Sequence, residues 1–412
     1  MAEIPGLAAR RAALKLTDAV LRRGETLDRG APAALKGLAG DADRALARAL
    51  AAEVFRWLTD LDALIDSATR KRLPDDAKAR AVLRLMLAGW LRLETPPHAV
   101  VATGLPLLAG GPRRLAHGVF GALTRKGAHL PEVPTLPEAL AARWGERAGA
   151  IAAGLAEPPP LDLTLKDPAE TERWATELAG ASLMPGHLRL PRGAAVESLP
   201  GYSEGAWWVQ DLAASLPARL HGAGERKRVL DLCAAPGGKT LQLAAAGWRV
   251  TSLDMNARRM ELLRENLART GLSAKIVVAD ALEWEAGEKF DAVLLDAPCT
   301  ATGTCRRHPE VLHRIGPRGI EEMAELQSAL IERAIACLAP GGTLVYAVCS
   351  LEHEEGEAQA VKIPLETVPV APSELPKGLS VTQEGWLRTA PGMMSGEGGL
   401  DGFFVARFRA TP

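Results

Sequence analysis

Apolar residues recur at helical spacing along the first third of the chain. The segments RRAALKLTDAVLRR, DADRALARALAAEVFRWLTDLDALIDSATR and DDAKARAVLRLMLAGWLRL place them at i, i+3, i+4 and i+7, which predicts amphipathic helices. Segments that read as turns, namely RGETLDRGAP, KRLPDD and LETPPHAV, separate these stretches. We therefore predict an all-helical domain over residues 1–130.

The next part of the chain changes character twice. The proline-containing stretch HLPEVPTLPEAL and the helical pattern PEALAARWGERAGAIAAGL predict a linker and a connecting helix over residues 131–157. Two short strand candidates, LDLTLKD and HLRLP, then flank a helical pattern at ETERWATELAG. This pattern predicts a small α+β subdomain over residues 158–205.

From residue 206 to residue 412, short apolar runs alternate with amphipathic helices. The runs are RVLDLCAAPGG, WRVTSLDMN, AKIVVADALEW, FDAVLLDAPC and GGTLVYAVCS, and a long helix is expected from about residue 319 to 339. Such alternation predicts a parallel sheet covered by helices on both faces. WLRTAP and DGFFVARFRA resemble an antiparallel edge hairpin. In such sheets ligands bind at the carboxyl ends of the strands.

The distribution of apolar and charged residues indicates where the protein is found and what kind of partner it binds. No run of eighteen uncharged apolar residues occurs, and the N-terminus MAEIPGLAARRAALKL lacks the apolar core of a signal peptide, so we expect a cytoplasmic protein without a membrane segment. Residues 1–145 carry 22 lysines and arginines against 15 acidic residues, whereas the remainder carries 27 against 35. A basic first part suits a polyanionic partner, although solubility alone explains it equally well.

Aspartates recur where the predicted strands of the α/β domain end. They are Asp231, Asp254, Asp280 and Asp296, and a turn containing Pro236, Gly237 and Gly238 follows the first strand. The sequences GxxxxGK[ST] and GxGxxG are both absent, which argues against a nucleoside triphosphate or a dinucleotide. Carboxylates accept hydrogen bonds from ribose hydroxyls and an adenine amino group, and they attract a sulfonium. The pattern therefore predicts S-adenosylmethionine, and Lys239 is a candidate orienting cation.

Two of the five cysteines lie at predicted strand ends. Cys349 ends LVYAVCS, and Cys299 lies three residues after Asp296. A thiolate that adds to C6 of cytosine makes C5 nucleophilic enough to attack a sulfonium methyl group, and a carboxylate near N3 assists. A free cysteine is more often a small buried apolar residue. We prefer that interpretation for Cys233 and Cys337, expect an ordinary loop residue at Cys305, and expect function at Cys299 and Cys349.

Three motifs make the chain resemble a known family. LDLCAAPGGKT, LDAPCTATGTCRRHP and LVYAVCSLEHEEGE are similar to the signature motifs of RNA 5-methylcytosine methyltransferases of the Fmu/Sun group. RRAALKLTDAVLRRGETLD, EVFRWLTDLDALID and LETPPHAVV resemble a NusB-like RNA-binding domain, a pairing typical of the small-subunit ribosomal RNA branch. The resemblance implies an all-α NusB-like domain, the small α+β subdomain and a Rossmann-like class I methyltransferase domain.

The resemblance also implies roles for individual residues. Cys349 becomes the nucleophile and Cys299 assists release of the methylated product, while Asp296 and Lys239 fall on active-site positions. The implied donor-binding residues are Cys233, Ala234, Ala235, Pro236, Gly237, Gly238, Lys239, Asp254, Asp280 and Asp296. No metal is implied.

The implied substrate is a cytosine in 16S ribosomal RNA, and we expect a monomer. Arg306 and Arg307 follow the Cys299 motif, and such an arginine pair could hold RNA phosphates. Two alternatives stay open: the same chemistry on transfer RNA, and a noncatalytic RNA-binding scaffold of the antitermination type.

Overall fold

The chain forms two compact units. The computed structural model describes residues 4–38 and 40–412. The described residues up to Glu157 form one unit with Cys305–Ile315, and Pro158–Thr304 forms the other with Gly316–Pro412. We call them the helical unit and the methyltransferase unit. The helices of the first are α1 (Leu7–Arg23), α2 (Leu27–Ala34), α3 (Asp41–Arg56), α4 (Leu58–Ser67), α5 (Lys78–Leu91), α6 (Pro97–Gly104), α7 (Gly110–Arg125), α8 (Glu138–Trp144) and α9 (Ala148–Leu155).

The helical unit departs from the predicted pattern at two kinds of position. The continuous helix expected over residues 41–70 is two helices that meet at Trp57. Two segments predicted as turns form α2 and α6 instead. Thr26 caps α2 by accepting the backbone N–H of Arg29, and Pro97 occupies the first turn of α6, where its missing N–H costs nothing. At the start of both helices, the residues that favour a helix N-terminus are also typical of turns.

A short segment far along the chain also belongs to the helical unit. We predicted that Cys305–Ile315 lies in the domain of residues 206–412, but its contacts are with the helices. Arg56 donates to the carbonyl oxygen of Arg306 at 2.8 Å, and Glu310 accepts the backbone N–H of Leu27 at 3.1 Å. These bonds join residues about 250 positions or more apart, so local periodicity could not reveal them.

The methyltransferase unit contains two sheets. Its strands are β1 (Leu161–Leu165), β2 (His187–Leu190), β3 (Trp207–Val209), β4 (Arg228–Leu232), β5 (Arg249–Asp254), β6 (Lys275–Val278), β7 (Phe290–Asp296), β8 (Leu338–Val348), β9 (Glu366–Thr367), β10 (Leu387–Arg388) and β11 (Phe404–Arg409). Its helices are α10 (Thr171–Glu177), α11 (Leu212–Arg219), α12 (Gly238–Ala245), α13 (Ala257–Thr270), α14 (Pro317–Cys337) and α15 (Glu357–Ala360).

The smaller sheet has the strand order β2-β1-β3, and both pairings are antiparallel. It contains the strands expected from LDLTLKD and HLRLP, with α10 between them in sequence. Trp207 on β3 is fully buried in a cluster with Leu163 and Leu188. The burial of this large ring stabilises the sheet against its helix.

The larger sheet has the order β10-β11-β8-β7-β4-β5-β6, and β9 pairs with β11. The pairings from β8 through β6 are parallel, whereas β11 and β10 run antiparallel at one edge. The predicted α/β fold and its edge hairpin are therefore confirmed. Strand order reverses at the neighbours β4 and β7, and such a reversal opens a crevice beyond the carboxyl ends of the strands.

Within residues 4–38 and 40–412, no helix combines the length and the apolar character needed to cross a membrane.

Candidate active site

The loop after β4 begins the site. Cys233 adopts a φ of +61°, and Gly237, directly before α12, has a φ of +110°. A Cβ atom at Gly237 would lie 2.3 Å from Cδ1 of Leu263, so only glycine lets the loop pass α13 at this distance. The loop therefore turns sharply at the crevice between β4 and β7.

Two of the predicted donor-binding carboxylates lie at the ends of β5 and β6. Asp254 is largely buried, and its two oxygens accept the backbone N–H groups of Ala235 at 3.1 Å and Asn256 at 2.8 Å. Asp280 lies two residues after β6 and is exposed. Each carboxylate oxygen has two lone pairs, so these groups can accept further hydrogen bonds from a ligand.

Asp231 does not line the rim as the sequence suggested. Its side chain is fully buried, and Oδ2 accepts the hydroxyl of Thr240, which is also 2.9 Å from the hydroxyl of Ser252. Burial raises the pKa of Asp231 to about 7. This carboxyl group joins β4 to the first turn of α12 inside the protein.

A buried cation meets a carboxylate at the end of β7. Nζ of Lys239 lies 2.6 Å from Oδ2 of Asp296, and the two side chains are 11% and 29% exposed. Burial opposes the charge of Lys239, but Asp296 outweighs it and raises the pKa of this lysine. Nζ also lies 5.4 Å from the ring centroid of Phe403, a cation–π distance. The lysine is thereby fixed next to a carboxylate that solvent can reach.

The two cysteines expected to function lie side by side. Their Sγ atoms are 3.4 Å apart, although the residues are 50 positions apart in sequence. Cys299 follows β7 and Cys349 directly follows β8, the neighbouring parallel strand. The hydrogen bond between Cys299 and Cys349, together with burial, raises the pKa of Cys299 well above its usual value. Both side chains remain partly exposed.

The other three cysteines have different surroundings. Cys305 and Cys337 are buried, and Cys233 is partly buried. Burial raises the pKa of Cys233 and of Cys337, which keeps both as neutral thiols near pH 7. Our expectation that Cys337 is a small buried apolar residue agrees with its place in the core cluster that contains Leu338 and Phe290.

Comparison with known proteins covers nearly the whole chain. The NusB family matches residues 7–107, and the family described as 16S rRNA methyltransferase RsmB/F matches residues 220–409. Ribosomal RNA small subunit methyltransferase B of Xylella fastidiosa (strain Temecula1) is 33% identical over 98% of this chain and 98% of its own. The chain belongs to this family. The Xanthomonas campestris relative of the same name is 34% identical over 86% of this chain and 87% of its own.

A solved structure agrees with the fold. The crystal structure of PH0851 superposes with a TM-score of 0.76, covers 98% of this chain and 99% of its own, and is 22% identical. The predicted arrangement of a NusB-like domain before a Rossmann-like methyltransferase domain is therefore confirmed. So is the predicted class of enzyme, an S-adenosylmethionine-dependent methyltransferase of ribosomal RNA.

The rim suits this methyl donor chemically. Asp254, Asp280 and Asp296 offer hydrogen-bond acceptors and negative charge, whereas the donor presents ribose hydroxyls, an adenine amino group and a positive sulfur. In the loop after β4, Pro236 is exposed and Gly238 is partly exposed. Acceptors and exposed backbone at one edge of the sheet match what the donor must contact.

The two arginines predicted to bind RNA differ in exposure. Arg306 is only 3% exposed, within the helical unit. Arg307 is partly exposed and lines a cavity of about 130 Å³ with His308, Arg48 and Asp28 of the same unit. RNA binding by these residues stays a prediction, and the structure favours Arg307 over Arg306 for contact with a phosphate from solvent.

Sequence patterns missed the polar residues that join the two cysteine loops. Glu355, Ser350 and Thr300 are all buried. Glu355 belongs to the acidic stretch LEHEEGE, which resembles a solvated loop. The only signal was its closeness in sequence to Cys349.

Proposed function

We propose that this protein transfers a methyl group from S-adenosyl-L-methionine to C5 of a cytosine in small-subunit ribosomal RNA, with Cys349 as the nucleophile. The observation that carries the proposal is the pair of thiols 3.4 Å apart at the ends of the parallel strands β7 and β8. One thiol can form a bond to the base while the other assists its release. Asp296 and Lys239 lie at the end of β7 as well.

Cys349 acts first in this mechanism. Its thiolate forms a bond from Sγ to C6, and the electron pair of the C5–C6 double bond becomes available at C5. N3 takes up the proton that the Cys349 thiol has lost, and the carboxylate of Asp296, which Lys239 fixes, stabilises the protonated nitrogen by accepting a hydrogen bond from it. The bound donor supplies a methyl group on a positively charged sulfur, which C5 then takes.

Release follows from the same pair of cysteines. A base removes the proton from C5, the C5–C6 double bond forms again, and the bond between Sγ of Cys349 and C6 breaks. Cys299 assists this step from its position against Cys349. The assignment of Cys349 as nucleophile and Cys299 as the assisting residue rests on the family motifs.

The remaining parts of the chain serve RNA binding in this proposal. The helical unit presents exposed basic side chains, among them Arg11, Lys15, Arg113 and Arg114, and such side chains hold phosphates without reading sequence. Arg307 adds to them. We propose that the enzyme works as a monomer in the cytoplasm.

The test is a map of 5-methylcytosine in all RNA of a strain that lacks the gene, made by bisulfite sequencing. We expect one or more cytosines of 16S ribosomal RNA to lose methylation, and the wild-type gene but not Cys349→Ala to restore it. Loss confined to transfer RNA would favour the first alternative. Unchanged methylation together with no donor binding in calorimetry would favour the noncatalytic scaffold.

A further inference from the structure

A buried carboxylate links the loop of Cys299 to the loop of Cys349. The backbone N–H of Thr300, the residue after Cys299, lies 3.2 Å and 3.0 Å from the two carboxylate oxygens of Glu355. Glu355 is fully buried and lies six residues after Cys349. Thr300, which follows Cys299, is therefore hydrogen-bonded directly to Glu355 of the Cys349 loop.

Hydroxyl groups and close backbone contacts complete this link. The Ser350 hydroxyl lies 3.2 Å from that of Thr300 and 3.3 Å from that of Thr302. The backbone N–H of Gly303 donates to the carbonyl oxygen of Cys349 at 3.0 Å. A Cβ atom at Gly303 would lie 2.9 Å from the carbonyl oxygen of Cys349, so the loops pack backbone to backbone.

The carboxylate occupies a costly position. A fully buried ionisable group costs free energy unless its partners compensate for lost water. The partners of Glu355 in the network, Thr300 and Ser350, are uncharged, and burial raises the pKa of Glu355. An apolar side chain would fill this space without that cost. The position of Glu355 calls for a role beyond packing.

The Cys299 loop also has a shape that needs external support. Ala301 adopts a φ of +58°, a left-handed conformation that is unfavourable for a residue with a Cβ. Such a conformation persists only where surrounding contacts impose it. Glu355 supplies such a contact, because its carboxylate accepts the backbone N–H of Thr300, the residue before Ala301.

We propose that Glu355 is a positioning residue that holds Cys299 against Cys349 through the backbone of Thr300. The proposal rests on the function proposed above, because it gives Glu355 a part in product release through Cys299. Loss of Glu355 leaves Cys349 in place but allows the Cys299 loop to move. The covalent bond between Cys349 and RNA then still forms, whereas its release slows.

The first measurement reports on position alone and needs no RNA. Diamide, a thiol oxidant, converts two adjacent thiols to a disulfide and is itself reduced to a hydrazine. In a full-length chain with Cys233, Cys305 and Cys337 replaced by serine, we expect a Cys299–Cys349 disulfide to form. We expect Glu355→Ala to slow its formation about ten-fold, because the reaction depends on proximity. Glu355→Gln keeps one acceptor oxygen, so its rate of disulfide formation should lie between those of the Glu355 protein and Glu355→Ala.

The second measurement reports on release. With small-subunit ribosomal RNA and S-adenosylmethionine, we expect Glu355→Ala to accumulate a protein–RNA adduct that survives denaturation, as Cys299→Ala should. We expect kcat to fall by about 10²-fold while KM for RNA stays within about two-fold, because Glu355 and Thr300 are both buried. Adding Cys349→Ala should abolish the adduct.

Glu374→Ala is the matched control, because Glu374 is a partly buried carboxylate that binds Arg407 at 2.7 Å and 2.9 Å. It should lower the melting temperature without slowing disulfide formation. Unchanged disulfide rates in both Glu355 variants would overturn the positioning role. If disulfide formation slows in the Glu355 variants but Cys299→Ala gives no adduct, the positioning role holds and the proposed function fails.

Discussion

Arg80 in the helical unit and Lys239 in the methyltransferase unit are both buried cations, but their carboxylate partners differ in surroundings. The Arg80 side chain has no exposed surface, and it is held by Asp62 at 3.0 Å and by Asp66. Lys239 is held by Asp296 alone among the carboxylates within 4 Å in the described residues, and Asp296 lies at the crevice of the sheet. Asp62 pairs with two arginines of its own unit, whereas Asp296 pairs with a single cation.

This difference distinguishes ion pairs that stabilise the fold from an ion pair that takes part in the reaction. In the helical unit, Arg84 also pairs with Asp62 at 2.7 Å, so one carboxylate satisfies two arginines and joins α4 to α5. Near the cysteines, the carboxylate has one cation, a partly exposed side chain and two thiols on the neighbouring loops. We infer that a carboxylate with a single cation partner at the carboxyl ends of the strands marks a reaction site, whereas a carboxylate shared by two arginines between neighbouring helices marks a scaffold.

The largest effect is expected at the reaction site. Asp296→Asn keeps the shape of the side chain but removes the charge that stabilises the reacting base, so we expect kcat to fall by about 10³-fold. The melting temperature should fall as well, because the largely buried Lys239 loses its carboxylate partner. Transfer of labelled methyl groups to ribosomal RNA measures the first quantity and calorimetry the second. Near-normal turnover in this variant would show that Asp296 is not part of the chemistry.

A smaller effect, on stability rather than on turnover, is expected at the scaffold pair. Asp62→Asn leaves Arg84 without its carboxylate partner and leaves Arg80 with Asp66 alone, and we expect the free energy of unfolding to fall by about 3 kcal/mol. Asp75→Asn is the matched control, because its pair with Arg72 is exposed and should contribute less than about 1 kcal/mol. Urea unfolding gives both values. Equal losses in the two variants would remove the distinction between buried and exposed pairs.

The smallest effect is expected at Asp231, which makes the free energy of unfolding depend on pH. Its pKa is raised from 3.8 to about 7 by burial, so the folded protein retains a proton that the unfolded chain releases between these values. Stability therefore falls as pH rises from 4 to 7. We expect Asp231→Asn to reduce the difference in unfolding free energy between pH 5 and pH 8 by about 2 kcal/mol. The exposed Asp167→Asn should leave that difference unchanged, and an unchanged slope in Asp231→Asn would contradict the account.

Sequence patterns predicted the parts of the site that follow from strand order. Asp254, Asp280 and Asp296 each lie at or just beyond a strand end, and parallel strands bring their carboxyl ends to one edge of a sheet. The same rule brought Cys299 and Cys349 together, because each follows one of two neighbouring strands. Alternation of strands and helices contains this information without any knowledge of side-chain contacts.

The rest depends on contacts between distant positions. Glu355 appears in sequence as one acid in an acidic stretch, and only its bonds to a residue 55 positions away show its place. The sequence places Arg306 directly after the catalytic motif, but its segment packs with the helices near the start of the chain. Asp231 differs from its neighbours at the rim only through burial under Thr240. Periodicity reports which face is apolar, and it cannot report which polar group the fold encloses.

The division of work between the two cysteines is the central claim, and a comparison of covalent adducts tests it most directly. Cys299→Ala and Cys349→Ala are each incubated with small-subunit ribosomal RNA and S-adenosylmethionine, then resolved under denaturing conditions. We predict a protein–RNA adduct that accumulates in Cys299→Ala and is absent in Cys349→Ala. An adduct in Cys349→Ala and none in Cys299→Ala would contradict it, because Cys299 would then be the nucleophile.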